Sequence, residues 1–495
     1  GTFNGNGAGL TNLNAGNLSS GTVPTARLPS VVLTNSGTGP NATAAGNSAD
    51  ATGNASVAFG YNPTASGSYS TALGVSSLAS GDYSTALGNG SKATNIYANA
   101  LGYLAIASGS GSTALGYHTI ASRDYSTALG FLSMATNDYT TAVGNNAIAG
   151  GTNATALGYY TTASGKNSTA LGYFSMATNE NTTALGYAAL AGGRGSIALG
   201  LSTTASGTNA TALGYNSKAT NDYSTALGYR AIASGSYSTA IGDTSIASGI
   251  DATALGGTAR ASGDASTALG YITAASGDFS TALGYVTTAS GVGSTALGVT
   301  TTASGDYSTA LGYYSQATNT GCLVWSDKSA AGSGATSTNN NSVTMRAAGG
   351  YRLFSNSGMT LGAFIAPNGA SWGSISDQNA KKNFVPVDGE EVLAKLAAVP
   401  VQKWNYKWDA DTDVPHIGPM AQAFKAAFYP GRDNKSITTL EFDGVELAAI
   451  QGLNQKLETG SQKSEVRMQK LEAENAELKQ RLMELKTLVE KLAGK

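Results

Sequence analysis

The sequence predicts a mainly β protein: a long parallel β-solenoid shaft, a small α+β domain after it, and a C-terminal coiled coil. Three observations carry this. A glycine falls every fourteen residues from Gly60 to Gly312, nineteen times without an insertion or deletion. Charge is sparse through that stretch and dense after residue 375. Leucines then return at seven-residue spacing, at Leu471, Leu478, Leu485 and Leu492. A strict short period over more than half a chain means one structural unit stacked on itself.

Composition agrees. The 495 residues include 65 Gly, nearly twice the usual share of about 7 %, and only 12 % charged residues, half the usual. A disordered Gly/Ser/Thr tract would not hold an apolar pair in phase over so many repeats. Net charge is −2, so there is no electrostatic case for nucleic acid or an anionic membrane. Residues 53–318 carry 7 Lys/Arg and 10 Asp/Glu, whereas residues 376–495 carry 17 and 18, which marks a different kind of domain. Cys322 is alone, so no disulfide framework exists and it reads as a small buried residue. No apolar run approaches the ~18 residues needed to span a bilayer, and no membrane insertion is expected. The chain starts at Gly1 without a Met or a secretion signal, which reads as a processed or partial chain whose attachment end lies outside it.

Residues 1–46 form a lead-in, small, Asn-rich and punctuated by Leu, similar to stretches near the start of phage-like fibre proteins. Residues 47–318 are the shaft. One repeat, from Tyr69, reads Tyr-Ser-Thr-Ala-Leu-Gly-Val-Ser-Ser-Leu-Ala-Ser-Gly-Asp. Ser-Thr-Ala-Leu and Ser-Ser-Leu-Ala alternate in the manner of strands. Each stretch ends in a turn pair, the first on the invariant Gly, the second on Ser-Gly, Gly-Gly or Thr-Asn, as at 80–81, 150–151 and 94–95. Gly and Asn tolerate positive φ, so both corners are expected to need a left-handed residue, with Arg123 breaking the rule once. A helix is excluded by the Gly and β-branched Thr content. With two Ala and two or three larger apolar residues per coil, the core is thin, and sharing it between chains is the natural remedy. At about 4.8 Å per rung, nineteen rungs span on the order of 90 Å.

These units, Ser70-Thr71-Ala72-Leu73-Gly74 and Leu78-Ala79-Ser80-Gly81, resemble the head repeat of trimeric autotransporter adhesins, the YadA-type left-handed parallel β-roll. The resemblance covers about 55–318 and implies a homotrimer with rungs stacked along the fibre axis. No C-terminal membrane β-barrel is recognised, so the chain is not expected to be an autotransporter itself. Tyr recurs after the glycine, at 103, 117, 159, 173 and elsewhere, and in a second series including 69, 83 and 125. The main reading is rung-to-rung stacking; the other is an aromatic strip contacting a host cell-surface glycan or protein. A Thr ladder at 71, 85, 113 and 127 invites ice binding, but Thr is in phase with Leu, which reads as facing inward. His118 is isolated within a rung.

Residues 319–375 read as a β-rich neck, with strands near Cys322–Trp325, Ser342–Arg346 and Tyr351–Phe354. Residues 376–446 hold the one reactive-looking constellation, Ser376-Asp377-Gln378-Asn379-Ala380-Lys381-Lys382, followed by the helix-like Glu390–Leu396, Trp404-Asn405-Tyr406 and His416-Ile417-Gly418-Pro419-Met420-Ala421-Gln422. In that order these resemble the C-terminal intramolecular chaperone domain of endosialidases and other phage tailspikes and fibres, also present in myelin regulatory factor. The resemblance implies a domain that trimerises, assists folding of the upstream fibre, and cuts itself off before the Ser. It carries over Ser376 as nucleophile, Lys381 as base and Ile375–Ser376 as the scissile bond, with His416 in a supporting role. A serine needs its proton removed, and a lysine can remove it only where burial or nearby positive charge, such as Lys382, favours the neutral amine. Asp377 reads first as a turn or cap residue, and alternatively as an orienter of the Lys. No cofactor or metal is expected.

Residues 447–495 read as a coiled coil. Leu471 to Leu492 form one column and Met468, Asn475, Leu482 and Val489 the other, with Glu and Lys on the flanks. Gly452 and Gly460 loosen its start. Together the sequence points to a structural and adhesive trimeric fibre with a self-cleaving chaperone, placed on a virion tail or cell surface. The alternative is a non-cleaving bacterial surface adhesin of the trimeric autotransporter type.

Overall fold

The computed structural model describes residues 37–329, 332 and 334–494, in two compact units that divide between Ala348 and Gly349. Most of the lead-in, 1–36, lies outside the described residues.

The first unit is a parallel β-solenoid. Each strand pairs with its equivalent fourteen residues on: Thr71, Ala72 and Leu73 face Thr85, Ala86 and Leu87, and Leu78 and Ala79 face Lys92 and Ala93. Two sheets result. One runs from the strand Thr43–Ala45 onward, the other from Asp50–Ala51 to Gln316–Ala317. Mid-shaft strands such as Thr113–Tyr117 are five residues long, while those near the start, such as Thr71–Leu73, are three.

The interior is smaller than the sequence suggests. Side chains alternate across a strand, so placing Ala72 inside turns Thr71 and Leu73 outward. Ala72 and Ala79 are fully buried, as are Ser70 and, almost fully, Ser77, and the same four columns repeat along the shaft as Ala, Ser or Thr, with Pro63 in one of them. The larger apolar residues of the repeat lie on the outer face, where Leu87, Leu115 and Leu157 stay about 41–42 % exposed. Thr is indeed in phase with Leu, but both point out, which corrects the inward reading. Several interior hydroxyls donate to the carbonyl three residues back, as Ser112 does to Gly109 at 2.7 Å.

The corners also differ from expectation. The invariant glycines do lie at positive φ, 133° at Gly60 and 131° at Gly284. The second-corner glycines do not. Gly is needed there because the next rung is too close: a Cβ on Gly67 would sit 2.0 Å from the carbonyl oxygen of Gly81. Where Asn replaces it, the side chain bridges instead; Asn95 accepts from the Ile96 amide and donates to the Ser108 carbonyl. The left-handed residue is two positions further on, and the same holds at the first corner. Every seventh residue from Asn41 to Gly321 has φ near +50 to +70°, whatever its type: Tyr69, His118, Phe174, Arg230 and Ile272 included. Such a conformation costs a non-glycine residue about 1–2 kcal/mol. It is offset by a short backbone bond to the preceding rung, such as Tyr69 N to Asn54 O at 2.7 Å.

The roll continues beyond Asn319. Leu323–Ser326 pairs in parallel with Thr309–Gly312, and Val343–Arg346 pairs on it in turn. Cys322 occupies an interior hydroxyl column, 2 % exposed, its Sγ 3.4 Å from Ser342 Oγ.

The second unit opens with an antiparallel sheet of Tyr351–Phe354, Gly362–Ile365 and Gly373–Ser374. Helix α1, Gly389–Ala397, is N-capped by Asp388, whose carboxylate accepts from the Glu390 and Glu391 amides. A hairpin of Val401–Trp404 and His416–Pro419 follows, then α2, Ala421–Phe428, and α3, Thr439–Ala493. Phe424, Val399, Val445 and Ala449 are buried. The loosening expected of Gly452 does not occur: α3 is one helix of 55 residues. Gly452 instead admits α1, since a Cβ there would lie 2.0 Å from the Gly389 carbonyl oxygen. Its heptad leucines are exposed in the single chain, Leu478 by 63 % and Leu485 by 62 %.

Candidate functional site

Ile375 leaves the third strand of the antiparallel sheet, its amide 3.4 Å from the Gly362 carbonyl. Its half-buried side chain lines a hollow of about 300 Å³ with Phe354, Met359 and Phe364. The chain then turns. Asp377 caps a 3-10 turn, Gln378–Ala380, with Oδ1 accepting from the Asn379 amide at 2.9 Å and from Asn379 Nδ2 at 3.1 Å. The Lys381 amide closes the turn on the Gln378 carbonyl at 3.1 Å. Lys381 Nζ then reaches back to Ser376 Oγ at 2.5 Å, and both side chains are exposed in the single chain. A hydroxyl and an amine so placed can exchange a proton, the first requirement of an amine-activated serine.

His416 sits elsewhere in the domain. Its ring stacks on Trp404 at 4.7 Å, and Nε2 lies 3.9 Å from Asp409 Oδ2; these ring and charge partners belong to the hairpin and its loop, with neither Ser376 nor Lys381 among them. Asp377 likewise spends its carboxylate on Asn379 rather than on Lys381. Asn379 carried no sequence signal, because a single Asn in a polar segment is unremarkable until its partner is known.

A second polar cluster, also unread in the sequence, joins α2 to α3. Lys425, 5 % exposed, donates to Glu441 Oε2 at 2.5 Å, and Arg432 reaches Oε1 at 3.5 Å. Glu441 also completes a capping box with Thr438 at the start of α3. The bond from Lys425 and then the Thr438 amide hold the Glu441 carboxyl down to about 2. Among the described residues, no group of three or more His, Cys, Asp or Glu could hold a metal ion. No helix among them is long and apolar enough to cross a membrane.

On the shaft, aromatic rings stack rung on rung. Tyr69 and Tyr83 lie 5.1 Å apart and 5° from parallel, and Tyr159, Tyr173 and Tyr187 continue at 4.9 Å. Ring faces within a run are therefore taken by neighbouring rungs, leaving edges and hydroxyls outward. His118 packs against its sequence neighbour Tyr117 at 5.0 Å, its ring tilted by 52° rather than stacked.

Eleven segments between residues 38 and 315 match the family described as YadA head domain repeat (2 copies), and together they cover more than half of the chain. The chain belongs to the YadA head-repeat family. In this YadA-type chain the head repeats are followed by a second match, residues 376–431, to the family described as Chaperone of endosialidase. That match begins at Ser376, where the Ser–Lys contact begins. No curated protein matches the YadA-type chain.

Proposed function

We propose that the protein is a homotrimeric adhesive fibre whose C-terminal domain trimerises, guides shaft folding and then cuts itself off at Ile375–Ser376. The observation that carries the cleavage reading is the 2.5 Å contact between Lys381 Nζ and Ser376 Oγ, one residue after the strand Gly373–Ser374 and directly after Ile375. In the reaction Ser376 Oγ attacks the Ile375 carbonyl carbon while Lys381, as the neutral amine, takes the hydroxyl proton. The Ile375–Ser376 C–N bond breaks, the Ser376 nitrogen receives a proton from Lys381, and Ile375 is left as an ester on Oγ. Water hydrolyses that ester, giving an Ile375 carboxylate and a free Ser376 amino terminus. Desolvation favours the neutral amine, and cover for this exposed pair comes from association of chains.

Trimerisation is supported by two unpartnered apolar surfaces. The outward Leu column of the shaft runs from Phe59 to Leu311 with only Leu, Ile, Val or Phe at each rung. The parallel column of the other sheet is interrupted by Lys92, Lys218 and Arg260, as expected of a solvent face. The second surface is the exposed heptad seam of α3. A perfect repeat can pair out of register; a C-terminal clamp that associates first fixes it, and its removal leaves a kinetically trapped fibre. Adhesion to a host glycan or protein is assigned to the shaft, where run ends such as Phe131 and Tyr187 are followed by Asn145 and Leu201 and keep one ring face unstacked. A virion tail or a cell surface is the setting for such a fibre.

Mass spectrometry of the expressed chain and its Ser376→Ala form tests this. The parent should yield a species ending at Ile375 and one beginning at Ser376, and the variant should stay whole. If both remain whole, differing only by the one oxygen atom of the substitution, the second reading is left, a non-cleaving surface adhesin.

A further inference from the structure

We infer that Asp377 and Asn379 form the positioning clamp of the Ser376–Lys381 pair, and that Asp377 acts as a hydrogen-bond acceptor rather than through its charge. This rests on the self-cleavage reading. Five residue steps separate the two functional side chains. In extended backbone their Cα atoms would lie about 17 Å apart, farther than a lysine side chain spans. In an α-helix they would be about 7.5 Å apart along the axis and on different faces. Contact therefore requires the chain to reverse between them, and a single short turn does this.

Nothing apolar holds that turn, since residues 376–385 are exposed throughout. Its closure depends on three kinds of bond. Asp377 Oδ1 gathers the Asn379 amide and Nδ2, the Ala380 amide returns to the Asp377 carbonyl at 3.1 Å, and the Lys381 amide returns to the Gln378 carbonyl. Asp377 is the residue common to the first two. Its carboxylate is pinned to Asn379, two residues short of Lys381, so its reach to the amine is spent. Asp377 therefore acts on the position of Nζ through the shape of the turn, by the bonds it accepts.

Three forms of the full chain test the clamp: the parent, Asp377→Ala and Asp377→Asn. Asn keeps an Oδ1 acceptor and loses the charge. Self-cleavage is followed by denaturing mass spectrometry across a range of pH, and amide exchange of Ala380 and Lys381 is measured in uncleaved protein carrying Ser376→Ala. The expected result is cleavage slowed about 10- to 100-fold in Asp377→Ala, the cost of misplacing a reacting group. Asp377→Asn should stay within about threefold of the parent with an unchanged pH midpoint. Exchange at Ala380 and Lys381 should accelerate only with Ala. Parent-like cleavage in Asp377→Ala overturns the inference. So does an Asn form as slow as Ala with a displaced pH midpoint, which would mean the charge tunes the amine. If the parent itself does not cleave, autoproteolysis is lost, and the clamp stands or falls on the exchange data alone.

Discussion

The closest-packed feature of the shaft gives its sharpest test, a comparison of Gly158→Ala with Gly150→Ala. Gly158 pairs with Gly172 in the next rung and has φ 137°; a Cβ there would lie 1.8 Å from the Gly172 carbonyl oxygen. The φ region alone costs an alanine on the order of 1–3 kcal/mol. Clearing the clash moves the next rung by more than an ångström and sacrifices at least one inter-rung hydrogen bond, worth about 1 kcal/mol. The sum is about 3 kcal/mol per chain. Gly150, eight residues earlier, has no positive φ, and its Cβ would meet nothing closer than 3.8 Å. There alanine should gain about 0.4–1 kcal/mol by restricting the unfolded chain. A repeat array need not unfold in one step, so the readout is hydrogen exchange across Thr155–Tyr159 and Thr169–Tyr173 in the purified protein. About 3 kcal/mol corresponds to exchange faster by roughly two orders of magnitude. Equal exchange in the two variants, or parent-like exchange in Gly158→Ala, would refute the claim that positive φ and rung spacing together select this glycine.

Other outcomes follow from the same geometry. Ile272 and Val286 are β-branched yet left-handed, at φ 55° and 54°; Ile272→Asn should raise stability by about 0.5–1 kcal/mol, and a fall in thermal midpoint would show that side-chain contacts outweigh the backbone cost. Glu441 is held to about 2, below its unfolded value of about 4.3. Its contribution is therefore present above that unfolded value and is lost as pH falls from about 4 toward 2; Glu441→Gln should flatten the acid limb of α2–α3 unfolding followed by circular dichroism, and an unchanged limb would exclude this group.

How much of this was legible beforehand varies by element. The rungs, their register and the long C-terminal helix are written in local periods, which a sequence displays directly. The Ser376–Lys381 pair was found only through family resemblance, since Ser-x-x-x-x-Lys by itself specifies nothing. Asn379, and the Lys425–Glu441 pair, were invisible because each acquires meaning only from a partner brought close by a turn or a helix packing. His416 shows the converse: a motif position was legible, but its surroundings in the hairpin were not.

By itself, the fourteen-residue period determined that most of this protein is a stack of identical rungs, because repeating chemistry forces repeating backbone. It could not determine which side of each strand faces in. Alternation permits either face, and only the tertiary structure decided that Ala and Ser fill the interior while Leu and Thr point out. The reason is room: two thin sheets closed over two short turns leave space for little beyond methyl and hydroxyl groups. The same closeness, rather than a need for positive φ, placed the second-corner glycines, and it left the left-handed conformation to whichever residue stands two positions on.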